Sequence, residues 1–215
     1  MKKNEKKTNY KKEGKKNIFV IVVIVVIIIV VGLVLVFSNL KDGKIYKVGK
    51  DIEAGEYILV GNYTYKIGDV SDKNFGYYAI CNKKECNVEN GDVETNNNFI
   101  DKAYVIVKDG QFLKVKHAKL YNAKEYKSTV ENSISYSSNY RLSTYYKIGY
   151  DLNAGTYTLD GDDFYYSICT KPSCKISIDE NEIIDNNNVK GSSTITVKDG
   201  QYLIIAGKGK VTATK

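Results

Sequence analysis

Four cysteines carry the most chemical potential in this chain, arranged as two pairs, Cys81-Asn-Lys-Lys-Glu-Cys86 and Cys169-Thr-Lys-Pro-Ser-Cys174. Each pair encloses four residues, so three chemistries are open: two local disulfides, free thiols, or one four-cysteine zinc site. A zinc site needs two distant segments to converge, and the spacing lacks the two-residue gap of zinc ribbons. If each pair flanks a hairpin tip, the sulfurs face each other across antiparallel strands, where Cα separations of about 4.5–5.5 Å suit a disulfide. Two structural disulfides, Cys81 with Cys86 and Cys169 with Cys174, are therefore expected, each contributing about 2 kcal/mol by loop closure.

Other chemistry is thinly supported. His117 is the only histidine; a nucleophilic triad needs partners, and a two-histidine ligand set is impossible. It reads as a solvated residue on a strand spanning 111–120, among alternating lysines. Asp160-Gly-Asp-Asp163 and Asp179-Glu-Asn-Glu182 gather carboxylates of the kind calcium takes. Neither has the Asp-x-Asp-x-Asp-Gly loop spacing, so both read as solvated turns. A glycosidase needs a carboxylate pair; Glu53, Asp92, Asp162 and Glu182 are available, but no pattern selects two of them. No catalytic residue, metal ligand or cofactor site is expected, and the chain reads as a non-enzyme.

Nineteen tyrosines and no tryptophan leave aromatic contacts to phenol rings. Tyr46, Tyr57, Tyr78, Tyr146, Tyr157 and Tyr166 recur at equivalent places in a repeat described below and read as core. Tyr63, Tyr65, Tyr121, Tyr126, Tyr136 and Tyr140 lie in an insertion, a linker or their edges. Tyrosine gives contact area at low entropic cost, so these six are the candidate contact surface.

The element placing all of this is at the start. Ile18 to Phe37 is twenty residues with no charged or polar side chain. As a helix it spans about 30 Å, the thickness of a bilayer core. In lipid every backbone group must be satisfied within the segment, which requires a helix rather than a strand. Eight lysines and two glutamates precede it within residues 1–17, whereas Lys41 and Lys44 follow it with Asp42 between them. The lysine-rich end stays cytoplasmic, which places the C-terminal part outside the cell. A cleaved signal peptide is the competing reading; its apolar run is about 7–15 residues, so an uncleaved anchor is expected. No cysteine lies near Ser38 for a lipid anchor. Beyond residue 17 the chain has 24 basic and 23 acidic side chains. The overall charge of +7 thus belongs to a tail beside lipid headgroups, not to a nucleic-acid footprint.

The remainder contains one module twice. YKVGKDIEAGEYILVG from Tyr46 faces YKIGYDLNAGTYTLDG from Tyr146, with nine of sixteen positions identical. Tyr77 to Cys81 faces Tyr165 to Cys169, and Asn96-Asn97-Asn98 faces Asn186-Asn187-Asn188. Val107 to Leu113 then faces Val197 to Leu203. The first copy carries about twelve extra residues between Asn62 and Gly76. The organisation expected is a basic tail (1–17), a transmembrane helix (18–37), a short linker (38–44), module 1 (45–121), a linker (122–143) and module 2 (144–215). The second linker has room for a short helix over 123–130. Strand formers punctuated by Gly, Asn and Asp every eight to twelve residues predict a mainly β chain of two small sandwich-like domains. Lys-Asp-Gly predicts hairpin turns with Gly110 and Gly200 left-handed. Val105, Val107, Leu113 and Val115 then share one face of a hairpin, with Lys114 and Lys116 on the other. Ala54-Gly55 and Ala154-Gly155 predict tight turns before strands starting at Tyr57 and Tyr157, and the asparagine triplets predict loops.

The stretch Tyr46-Lys-Val-Gly-Lys-Asp-Ile-Glu-Ala-Gly-Glu-Tyr57, with the Gly-Tyr-Tyr strand and Val-Lys-Asp-Gly-Gln-Phe turn, resembles a small β-rich extracellular module. That module occurs in membrane-anchored and secreted proteins of low-GC Gram-positive bacteria. The resemblance covers both copies; the paired cysteines depart from it. It implies a fold and a place at the cell envelope rather than an activity. The function expected is non-catalytic binding, with the lipid bilayer and either cell-wall polymer or another envelope protein as partners and no nucleic acid. The alternatives are an accessory or sensor subunit signalling through the basic tail and, last, an envelope hydrolase.

Overall fold

The computed structural model describes residues 43–61, 75–131, 133–137, 142–176 and 181–214. The basic tail, the apolar run 18–37, and Tyr63, Tyr65 and Tyr140 lie outside the described residues. Among those described, every regular element is a strand, and no helix is long and apolar enough to cross a membrane.

Seven strands form the first copy: β1 (Lys44–Lys47), β2 (Gly55–Gly61), β3 (Gly76–Cys81), β4 (Val93–Phe99), β5 (Lys102–Val107), β6 (Phe112–Lys116) and β7 (Ala118–Asn122). They fall into two layers, one ordered β1-β6-β3-β4 and the other β5-β2-β7. Alternating apolar side chains from both layers, among them Ile58, Leu59, Tyr78, Val105, Val107, Leu113 and Val115, meet in a core with less than 6% of each exposed.

The second copy makes the same path with fewer breaks. After β8 (Ser133–Ser137) and β9 (Ser143–Lys147) come three long strands, β10 (Gly155–Cys169), β11 (Ile183–Val197) and β12 (Tyr202–Ala213). Register identifies the halves. Tyr157↔Ile195 and Tyr166↔Asn187 in β10/β11 match Tyr57↔Val105 and Tyr78↔Asn97 in the first copy. So β10 is β2 and β3 run together, irregular between Gly161 and Phe164 where the first copy carries its insertion.

Several sequence expectations change here. The Lys-Asp-Gly turns are present, with Gly110 at φ +83° and Gly200 at φ +82°. They do not close hairpins, however, because β5 pairs with β2 while β6 pairs with β1 and β3. The turn is an arch between layers, so the four aliphatic residues meet across the core instead of along one hairpin face. The asparagine triplets lie in β4 and β11, held there by ladders to β3 and β10; backbone pairing overrides their loop preference. The predicted turn at Ala54 falls earlier, over Gly49 to Asp51, and β2 begins at Gly55 rather than Tyr57. Gly49 is at φ +87°, and a Cβ there would strike the Asp109 carboxylate. No helix forms over 123–130: a turn follows β7, and the later linker supplies β8, which pairs with β12.

The copies also make one continuous ladder. Phe99 in β4 pairs in parallel with Ser143 in β9, and the Ile100 N–H donates to the Ser143 carbonyl at 2.9 Å. Residues from Gly43 onward accordingly form one compact unit.

Candidate functional site

Each cysteine pair sits at disulfide-bonding distance, with Cα atoms 5.4 Å apart in both copies. The expected geometry differs in one respect. Cys81 and Cys169 end β3 and β10, but their partners are not on the opposing strand. Cys86 and Cys174 occupy the following loop, each at φ +51° and each donating its N–H three residues back, to Lys83 and Lys171. The bond therefore closes a single turn beyond the strand. A buried carboxylate pins that turn in both copies. Asp92 faces Lys83 at 3.0 Å. Glu182 accepts hydrogen bonds from the Ser173 hydroxyl at 2.5 Å and the Lys175 N–H at 2.8 Å, with Lys171 at 3.3 Å. Burial pushes the Glu182 carboxyl up, but these donors outweigh it and leave the group below the usual carboxylate range. Glu182 is thus not the solvated turn residue expected, and Asp92 and Glu182 are equivalents in separate copies rather than an acid–base pair. Asp160, Asp162 and Asp163 are exposed within β10, whereas Asp179 lies outside the described residues. No group of three or more His, Cys, Asp or Glu among the described residues is gathered for a metal ion.

His117 does not ride on a strand. It stands at φ +51° in the break between β6 and β7, where Gly207 stands at φ +98° in the second copy. Its Nδ1 lies 3.1 Å from the Phe75 carbonyl; the carbonyl can only accept, so Nδ1 carries the hydrogen.

A buried polar cluster lies between the copies, and sequence reasoning missed it. Asp151 is fully buried. Its Oδ1 accepts from Lys102 Nζ at 2.6 Å and from the Ser128 hydroxyl; its Oδ2 accepts from the Tyr104 hydroxyl at 2.7 Å and the Lys147 N–H at 2.8 Å. Beside it, Glu56 accepts from Lys147 Nζ at 2.5 Å and the Tyr202 hydroxyl at 2.6 Å, and the Tyr104 and Tyr202 rings meet edge to face at 5.7 Å. Tyr145 accepts from Asn97 and touches the Tyr78 hydroxyl. Burial, and next the adjoining carboxylates, push the Tyr104 and Tyr202 phenols far above their ordinary range. Asp151 is enclosed and Glu56 and Lys147 are partly exposed at its edge, and these bonds join the two copies. Its signal in the sequence was the misfit between copies: Lys102, Tyr104, Glu56 and Tyr202 face Ser192, Thr194, Thr156 and Phe112 at matching registers.

Of the candidate contact tyrosines, Tyr121 and Tyr126 meet at a tilt with ring centres 5.2 Å apart, Tyr126 packed against the first core and Tyr121 38% exposed. Tyr136 belongs to β8, paired with Gly209.

The packing is head to tail, and among the described residues nothing from the second copy covers the matching surface of the first. The outer side of β9-β12-β10, with Tyr145, Tyr202, Ile204 and Cys169, is buried against the first copy's core cluster. The equivalent outer side of β1-β6-β3 in the first copy carries Ile45, Phe112, Lys114 and Cys81. There a groove of about 390 Å³ is lined by Phe75, Tyr77, Cys86, Val88, Asn98, Lys114, Lys116 and His117. The disulfide turn forms one wall, β6 the other. No family model matches the chain, and no curated protein is found similar to it.

Proposed function

We propose that this is a membrane-anchored, extracellular display protein whose tandem β modules serve non-catalytic binding at the cell envelope. The observation that carries the binding reading is the inequivalence of the copies. One surface of the repeated fold is an interface in copy 2, and in copy 1 the same surface is an open groove. The anchor reading rests on the twenty apolar residues from Ile18 and the lysines before them. The disulfide-distance pairs fit an oxidising compartment. The two modules form one compact unit, joined through the Asp151 and Glu56 clusters. The test is a pair of measurements in intact cells. External protease should cleave the part after residue 43, and a purified chain should retain cell-wall polymer or an envelope protein. A reporter behind Lys215 that is active only in the cytosol overturns the topology; retention of neither partner overturns the binding role.

A further inference from the structure

The groove on the first copy has a composition that its equivalent does not. Lys114 pairs with Ala79, and Lys116 with Tyr77; at the same registers the second copy carries Ile204 beside Ser167 and Ala206 beside Tyr165. Ile204 and Ala206 are buried, Ile204 against the first copy. Substituting two lysines at these stations removes the apolar match for a neighbouring module. Charge repeats the point from the opposite side. Copy 2 lacks the Glu56, Lys102 and Tyr104 that hold the internal interface, having Thr156, Ser192 and Thr194, so a second chain has no matching face to place on the groove.

Lys114 and Lys116 are half-buried and two residues apart on β6, so both ammonium groups emerge on one face. Among the described residues, neither pairs with a carboxylate: the ion pairs there use Lys83, Lys102, Lys147 and Lys171. His117 stands at the rim, its Nδ1 donating to the Phe75 carbonyl, so that the neutral ring presents Nε2 as an acceptor for a ligand hydroxyl. Among the described residues, the lining contains no carboxylate. Phe75 and Tyr77 supply flat rings, Asn98 an amide, and Val88, 63% exposed, an aliphatic edge. A concave site with apolar walls and a few convergent polar groups is the form that small ligands take, and two unpaired cations select for negative charge.

We propose that this groove binds an anionic saccharide, its carboxylate or phosphate set between Lys114 and Lys116 and its ring against Tyr77 and Phe75. The proposal deepens the envelope-binding reading and rests on it for the source of the sugar, a polymer unit or a free glycan. The site itself is testable apart from that reading. The full chain in neutral detergent is titrated with galacturonate, glucose 6-phosphate and glucose, followed by amide shifts in NMR, and is passed over immobilised polygalacturonate and dextran. Binding of the two anionic sugars, shifts centred on β6 and residues 75–77, and at least a tenfold weakening in Lys114→Gln/Lys116→Gln support it. The control Lys190→Gln/Lys210→Gln, on the second copy, keeps full affinity. Equal binding of glucose, or unchanged affinity in the groove variant, overturns the proposal. So does inorganic phosphate binding as tightly as glucose 6-phosphate, which leaves no role for the ring. Retention on phosphatidylglycerol vesicles with no response to sugars assigns the face to a membrane, and lysine-dependent self-association assigns it to a second copy; both overturn it. Envelope retention that survives the groove variant keeps the broader reading and removes this one, whereas sugar binding without envelope retention does the reverse.

Discussion

Tyr104 in the first copy and Thr194 in the second hold the same place in the ladder, opposite Ile58 and Thr158, yet one is fully buried and the other exposed. The chemistry of the two faces differs along their length. Where the first copy has Glu56, Ile58, Lys102 and Tyr121, the second has Thr156, Thr158, Ser192 and Thr212, with hydroxyls bonded across strands, as in Thr156 with Thr196. A threonine ladder is what a solvated sheet face carries; the charged and aromatic version is the one that must grip a neighbour. Divergence between the copies therefore reports which surfaces are in contact, and similarity reports what each module needs to fold. The shared features are the tyrosine hydroxyls that close the turn before the second strand, Tyr57 to the Glu53 carbonyl at 2.9 Å and Tyr157 to Asn153 at 2.8 Å. The pinned cysteine turn and the Gly49 and Gly149 turns are shared too. Core exchanges compensate: Gly76 opposite Phe99 becomes Phe164 opposite Val189, keeping one large ring per pair.

The comparison breaks most sharply at Tyr104. Replacing it with the second copy's residue, Tyr104→Thr, should cost about 3–5 kcal/mol, while Thr194→Tyr on the exposed face should change stability by about 0.5 kcal/mol or less; urea unfolding of both variants measures the difference. Asp151→Ala leaves Lys102 buried without its counter-ion and should cost about 3–5 kcal/mol. At the matching station Asp51→Ala loses one bond to the exposed Lys47 N–H, worth about 1 kcal/mol or less. Equal losses at the two aspartates would remove the interface assignment.

The cysteine turns should show no such asymmetry. Cys81→Ser/Cys86→Ser and Cys169→Ser/Cys174→Ser should each cost about 2 kcal/mol, and the unreduced chain should be about 4 Da lighter than the reduced one in mass spectrometry. Alkali acts through the phenols. Tyr166, buried and bonded to Asp185 at 2.7 Å, is pushed up to about 12, and Tyr104 and Tyr202 move the same way. Each contribution is full below the ordinary phenol value near 10 and is lost as pH rises through the folded value, about 12 for Tyr166. Tyrosinate absorbance and circular dichroism should therefore change together in one cooperative step. Independent ionisation of these phenols ahead of unfolding would show that they are not held by the fold. The smallest effect is on the acid side. Glu182 sits below its ordinary value of 4.5, so its contribution is present above that pH and is lost as pH falls through the lower folded value. Glu182→Gln should lower stability at neutral pH and flatten that acid limb, as read by denaturant midpoints across the range.

Much of this molecule was legible in the chain itself. The strand content, the repeat, the left-handed Gly110 and Gly200, the core tyrosines and the cysteine partners follow from local patterns, because alternation, turn residues and short loops act over a few positions. What the strands pair with does not. Val105 and Leu113 look like hairpin neighbours, and only the layered packing puts them in different sheets. Asn97 looks like a loop residue until β3 and Tyr145 claim it. Asp51 and Asp151 have the same local sequence environment, Lys-x-Gly-x-Asp, and make the same turn bond to Lys47 and Lys147. That one is exposed and the other fully buried was decided by which copy its face meets, a contact between residues 47 and 49 positions apart in the chain. Local chemistry is written along the chain; burial depends on long-range contact, and it is burial that turned one aspartate into a junction and left two lysines facing an open groove.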